Sequence, residues 1–236
     1  MQSSSLSKSF MENGHFKFKV DKKILINLRN DFIKTFDKAA SLKKSLRIRN
    51  DNDLISLYRS KNRKIWTSVY DLLKFNINLY SLSGENFIKD ICKITQINYP
   101  YFSTKPYVRV DMPHDTIHSF KAHQDYPFNL GSKNSIVIWI PLQETNKIHG
   151  CIKVNEKSHK SKKVHKADKN LLIDDKNLNF MDVPCKLGEI LVFSQYLIHK
   201  SGNNISDKIR FSVQLRINDI DNLEYSNRNY FINKNN

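Results

Sequence analysis

Cysteine is scarce in this chain of 236 residues, and its three copies, Cys92, Cys151 and Cys185, stand singly. Without a CxxC pair they offer neither a structural zinc site nor a redox couple, and an odd number argues against a disulfide framework. Long apolar runs are also missing. The longest, 136–142 and 190–193, are strand-sized, whereas a membrane helix needs roughly 18 residues or more. The first sixteen residues are Ser-rich and polar, without the stretch of about 7–15 apolar residues that a secretory signal carries. A disordered leader over 1–16 is the expectation, with Met11 as an alternative start, and a reducing cytoplasm is the expected location. Acidic residues are few: 23 Asp and Glu face 39 Lys and Arg, and 39 − 23 gives a net charge of +16. That excess favours an anionic partner, whether nucleic acid, phosphate, carboxylate substrate or membrane surface. The abundance of Lys, Asn and Ile is equally what AT-rich coding leaves behind without any binding role.

An apolar content of 39% over this length is enough for one sizeable domain, expected over 17–236. Ile24, Leu25, Leu28, Phe32 and Phe36 recur at helical period and predict an amphipathic helix from Lys22 to about Ala40. Further helices are predicted over 51–58, 65–79 and 86–94, the last opening after Ser83-Gly84-Glu85. Residues 17–100 thus read as mainly helical. After Pro100 the pattern changes to short Val-, Ile-, Phe- and Tyr-rich segments between turn residues. Strands are predicted over 107–112, 120–125, 135–142, 150–155, 189–193 and 209–217, so 101–220 reads as the β core of a barrel or sandwich. Between them, 156–170 carries a run of lysines with His159 and His165, expected to be a solvated loop. His114, His118 and His149 are also expected at the surface.

The chemistry concentrates in a few residues. His123-Gln124-Asp125 closes a predicted strand, so His123 and Asp125 project to the same face. His199, after the strand 189–193, supplies a third ligand from a distance. Two imidazoles and one carboxylate suit Fe(II) and leave coordination positions open. Arg210 opens the last strand after the turn Ser201-Gly202-Asn203-Asn204, and its guanidinium fork suits a dicarboxylate.

Taken in order, HQD at 123–125, Trp139-Ile140-Pro141-Leu142, Gly150-Cys151-Ile152 running into Ser158-His159-Lys160, Gly188-Glu189, His199-Lys200-Ser201 and Arg210 resemble the phytanoyl-CoA dioxygenase-like family. The likeness covers 107–217 most fully. It implies a double-stranded β-helix of the jelly-roll, cupin-like kind, flanked by helices. It implies His123, Asp125 and His199 as ligands to Fe(II), Arg210 and Ser201 on the distal carboxylate of 2-oxoglutarate, and Trp139 and Tyr107 along the co-substrate pocket. It further implies consumption of O2 and 2-oxoglutarate, release of succinate and CO2, and hydroxylation of a substrate. Related halogenases lack the carboxylate that Asp125 supplies, so hydroxylation is the expected outcome. Glu189 departs from the family, which usually has Asp there; a turn-facing role is expected.

Other readings stand beside these. Trp139 also suits plain core. Arg216 shares strand parity with Arg210, and a buried arginine requires an internal carboxylate, a bulge or an anionic substrate. Arg109 meets either Asp111 or substrate. Arg109, Gln124 and Arg216 are therefore the candidates for substrate contact. The favoured substrate is a small anionic metabolite. The alternatives are the same chemistry on nucleic acid or protein, for which Tyr58, Arg59, Arg63, Lys64 and Trp66 offer aromatic and basic neighbours, and a non-catalytic binding module that keeps a metal.

Overall fold

The computed structural model describes residues 2–44, 46–60, 63–128, 132–161 and 173–221. Its longest helix, α2 (Lys22–Lys44), follows α1 (Gln2–Asn13) and strand β1 (His15–Lys19). The apolar stripe Leu25, Leu28, Phe32, Phe36 and Ala40 is buried along α2, as its period dictates. α3 (Asp51–Arg59) starts where the Asn50 side chain caps the Asp53 amide, satisfying a donor the first turn leaves open. The helix expected over 65–79 is two helices, α4 (Arg63–Leu73) and α5 (Ile77–Ser81). The break falls at Asn76, whose side chain accepts from the Asn78 and Leu79 amides and caps α5 instead of continuing α4. α6 (Asn86–Ile94) lies where the sequence places it.

The leader is a correction. Residues 2–13 form α1, and the chain then turns at Gly14 (φ +86°) into β1. Leu6 and Phe10, one helical turn apart, pack on the core, and Phe10 meets Phe16 edge-on at 6.0 Å. Two apolar side chains among serines suffice to dock the helix; the polar average of the segment hides them.

The remaining strands are β2 (Pro100–Phe102), β3 (Tyr107–Asp111), β4 (Ser135–Pro141), β5 (Ile152–Asn155), β6 (Met181–Val183), β7 (Glu189–Ser194), β8 (Ile198–Lys200) and β9 (Arg210–Asp219). One antiparallel sheet runs β1-β7-β4-β9-β2, with β3 also on β9; a smaller one runs β6-β5-β8. This mainly β core with helices before it is the fold class that the resemblance implies. β1, β2, β6 and β8 lie outside the predicted strands; β2, β6 and β8 have three residues each, too few to show an alternation, and β1 begins inside the segment expected to be a leader. The strand expected over 120–125 is a single bridge, His123 to His199.

Strand parity divides the core in two. Ile136, Ile138 and Ile140 of β4, Ile190 and Val192 of β7, and Phe211, Val213, Leu215 and Ile217 of β9 face the helices. The alternate residues Val137, Trp139, Leu191 and Phe193 face Ile152, Val154 and Val183 of the small sheet. On β9 the inward alternates are Arg210, Ser212, Gln214 and Arg216, all lining one cavity. A polar stripe on a strand buried on both faces is costly unless each group has a partner, and it marks where the chemistry sits.

The three thiols are free and buried. Burial pushes Cys92 and Cys151 up to about 11 and Cys185 to about 12. No described helix is long and apolar enough to cross a membrane.

Candidate metal centre and co-substrate pocket

His123 and His199 are brought together by a reciprocal pair of backbone hydrogen bonds, His123 N to His199 O at 3.1 Å and His199 N to His123 O at 3.0 Å. The imidazoles lie 4.3 Å apart, centroid to centroid. Asp125, two residues on, turns its carboxylate to the same side: Oδ1 is 3.9 Å from His123 Nε2 and Oδ2 is 3.7 Å from His199 Nε2. One ligand atom from each of the three lies within 4.8 Å of the others, and all three residues are buried.

Each imidazole is oriented from behind. Nδ1 of His123 faces the Lys121 carbonyl at 2.7 Å, and Nδ1 of His199 faces the Leu197 carbonyl at 3.0 Å. With Nδ1–H donating to a carbonyl, Nε2 keeps its lone pair toward Asp125, the tautomer a metal needs. Burial, with the neighbouring His123, lowers His199 to about 4, so its ring is neutral at pH 7. Burial pushes the Asp125 carboxyl up, but Arg216, His199 and His123 outweigh it and hold it below its usual range. The donor set, two imidazoles and one carboxylate turned to one side of the cavity, fits a first-row divalent ion.

The other candidate site residues fall around this cluster. Trp139, Tyr107, Ser201 and Arg210 line the same cavity of about 760 Å³, within the range of small-molecule sites. Ser201 Oγ accepts from the Phe120 amide at 3.2 Å. Trp139 is core and pocket wall at once. Arg210 donates from Nε and Nη2 to Asp111 Oδ2 at 3.1 and 2.8 Å. Its Nη1 is buried and has no hydrogen-bond partner among the described residues, a donor that a carboxylate would satisfy.

The three substrate candidates separate. Arg216 has the internal carboxylate: its Nη2 donates to Asp125 Oδ1 at 2.6 Å, and its guanidinium lies 4.9 Å from the Tyr107 ring centroid. Arg109 pairs with Asp111 and donates to the His118 carbonyl. Gln124 is a correction: it is fully buried, and its Nε2 donates to the carbonyls of Ser161 and Tyr196. Alternation that turns His123 and Asp125 toward the pocket turns Gln124 away from it.

Glu189 opens β7, and its side chain faces the preceding turn, as expected, accepting from Lys17 Nζ and the Lys186 amide at 2.9 Å each. His159 is half-buried, a correction, with Nε2 3.1 Å from the Met11 carbonyl. His165 and most of the lysine-rich stretch lie outside the described residues. Gln214 and Asp111 were missed as site residues. Gln214 donates to Asp125 Oδ2 at 3.3 Å, and its position midway between inward-facing Ser212 and Arg216 was the available signal.

The phytanoyl-CoA dioxygenase family model matches residues 107–212, the segment that holds the cluster and Arg210. Over that segment the chain is similar to the phytanoyl-CoA dioxygenase family. A phytanoyl-CoA dioxygenase of Arabidopsis thaliana is 26% identical over 117 residues, 46% of this chain. The chain spans 41% of that relative's length. Among solved structures, iron-bound EctD from S. alaskensis has a TM-score of 0.66 at 13% identity, over 93% of this chain and 77% of its own. The non-heme alpha ketoglutarate dependent epimerase SnoN from nogalamycin biosynthesis scores 0.61 at 13% identity, over 92% and 83%. At such identities the likeness is one of fold.

Within residues 107–212 two glycines let the backbone close behind Arg210. Gly150 has φ +75°, and a Cβ there would stand 2.6 Å from the Gly202 carbonyl oxygen and 2.9 Å from Arg210 Nη1. Gly150→Ala is expected to cost about 2–3 kcal/mol through the left-handed backbone and the clash with rigid main chain. A fall in the urea midpoint at unchanged slope would show it; an unchanged midpoint would mean the turn can relax.

Proposed function

We propose that this chain is an Fe(II)- and 2-oxoglutarate-dependent dioxygenase that hydroxylates a small anionic metabolite. The observation that carries the reading is the coincidence in one cavity of two oriented imidazoles, a carboxylate and the buried Nη1 of Arg210, which has no partner among the described residues. His123, Asp125 and His199 would hold the metal, and Arg210 with Ser201 would hold the distal carboxylate of 2-oxoglutarate. Bound together, iron and co-substrate supply an O2-driven decarboxylation to succinate and CO2, with one oxygen atom passed to a substrate C–H bond. The chain's own part is positional. Buried Trp139 and Ile152 line the site with apolar surface, while the two carbonyls behind the imidazoles hold the ligand tautomers.

Arg63 and Lys121 at the cavity, with the net charge of +16, support an anionic substrate. Of the rings that the sequence offered for stacking a nucleic acid, Trp66 is buried, stacked on Phe36 at 4.7 Å. A cytoplasmic location is part of the same proposal.

Anaerobic addition of Fe(II) and 2-oxoglutarate is expected to give the weak visible charge-transfer band of the chelate, and oxygen should then yield succinate. Arg210→Ala should raise the half-saturating 2-oxoglutarate concentration about 100-fold, the worth of hydrogen bonds to a charged group. A protein that retains zinc and gives neither band nor succinate is a binding module instead.

A further inference from the structure

Asp111 is clamped between two arginines. It lies directly across the β3–β9 ladder from Arg210, while Arg109 projects to its side two residues back. Arg210 holds Oδ2 through Nε and Nη2, and Arg109 holds Oδ1 through Nη2. Arg109 is itself fixed by the His118 carbonyl at 2.8 Å and by the Phe120 ring at 4.5 Å. The side chains of Arg109, Asp111 and Arg210 are 15%, 12% and 5% exposed, so solvent screens them little.

Their charges decide what Arg210 can do. Alone with Asp111, Arg210 would be neutralised, and the Asp111 carboxylate would repel a second carboxylate brought to Nη1. Arg109 returns the trio to a net +1. We infer that Arg109 is a positioning residue for the co-substrate: by offsetting Asp111 it leaves Arg210 with the net positive charge that selects a 2-oxo acid bearing a second carboxylate. Asp111 meanwhile occupies the Nε edge of Arg210 and leaves Nη1 for the ligand. This rests on the reading that Arg210 takes the distal carboxylate. It places Arg109 away from the substrate, which was one of its two sequence readings.

The test compares 2-oxoglutarate with 2-oxopentanoate, which has the same carbon chain and no distal carboxylate. Binding of each to the full chain loaded with Mn(II), a redox-inactive stand-in for iron, is measured by calorimetry, and the ratio of affinities reports the distal carboxylate alone. Arg109→Gln should lower that ratio on the order of tenfold, the effect of one unit charge several ångströms away in a partly screened site, with 2-oxopentanoate binding unchanged. Arg109→Lys keeps the charge and should keep the ratio. Arg109→Gln with Asp111→Asn again leaves a net +1 and should restore the ratio to within about threefold of wild type. A ratio unmoved by Arg109→Gln, an equal loss for both acids, or failure of both Lys and the double variant to hold the ratio makes Arg109 a structural brace and overturns the inference alone. A wild type that binds both acids equally removes the distal-carboxylate role of Arg210, and with it both this inference and the co-substrate reading.

Discussion

Asp125→Ala should abolish succinate formation and weaken divalent-metal binding by two or more orders of magnitude. The carboxylate is the one acidic group among the three candidate ligands and is fully buried beside two imidazoles, so neither of the other two replaces its charge toward a cation. The substitution also strands a second charge. Arg216 donates to Asp125 from a buried position and its Nε already lacks a partner among the described residues. Removing one member of a buried ion pair typically costs about 3–5 kcal/mol. The variant should therefore lose both metal, read by Mn(II) titration, and stability, read by urea unfolding. Retained metal affinity would remove Asp125 from the ligand set.

The second large effect concerns the other half of that pair. Arg216→Met should destabilise the metal-free protein by a similar amount, about 3–5 kcal/mol, because among the described residues Asp125 keeps only Gln214 as a hydrogen-bonding side chain. Metal should offset part of the loss: a ligand at one hundred times its Kd contributes about 2.7 kcal/mol to the folded state. Combining Asp125→Ala with Arg216→Met removes both charges and should recover most of the stability lost by either alone. It should recover none of the metal binding. If the single variants unfold at the wild-type midpoint, the Arg216–Asp125 contact contributes nothing to stability.

The helices were legible where a buried stripe outlasts three turns, as along Leu25, Leu28, Phe32 and Phe36. They were misread where one polar side chain decides the outcome, as at Asn76, or where two apolar residues dock an otherwise polar segment, as in α1. Strand alternation placed His123 and Asp125 on one side and, followed through, would have excluded Gln124. It also told that Arg210 and Arg216 share the inner face of β9, but not which carboxylate each would meet.

Residue chemistry and local period are properties of the sequence. They determined the ligand types, the HxD spacing, the division into a helical first part and a β second part, and the polar stripe on β9. Partners far apart in the chain were decided by the tertiary structure. The backbone pairing that sets His199 beside His123, the contact of Arg216 with Asp125, and the ladder register that puts Asp111 opposite Arg210 depend on which strands adjoin and in what register. Burial on both faces fixes that register, because a slip of one residue would turn β9's arginines toward the helices and its Phe211, Val213 and Leu215 into the polar cavity.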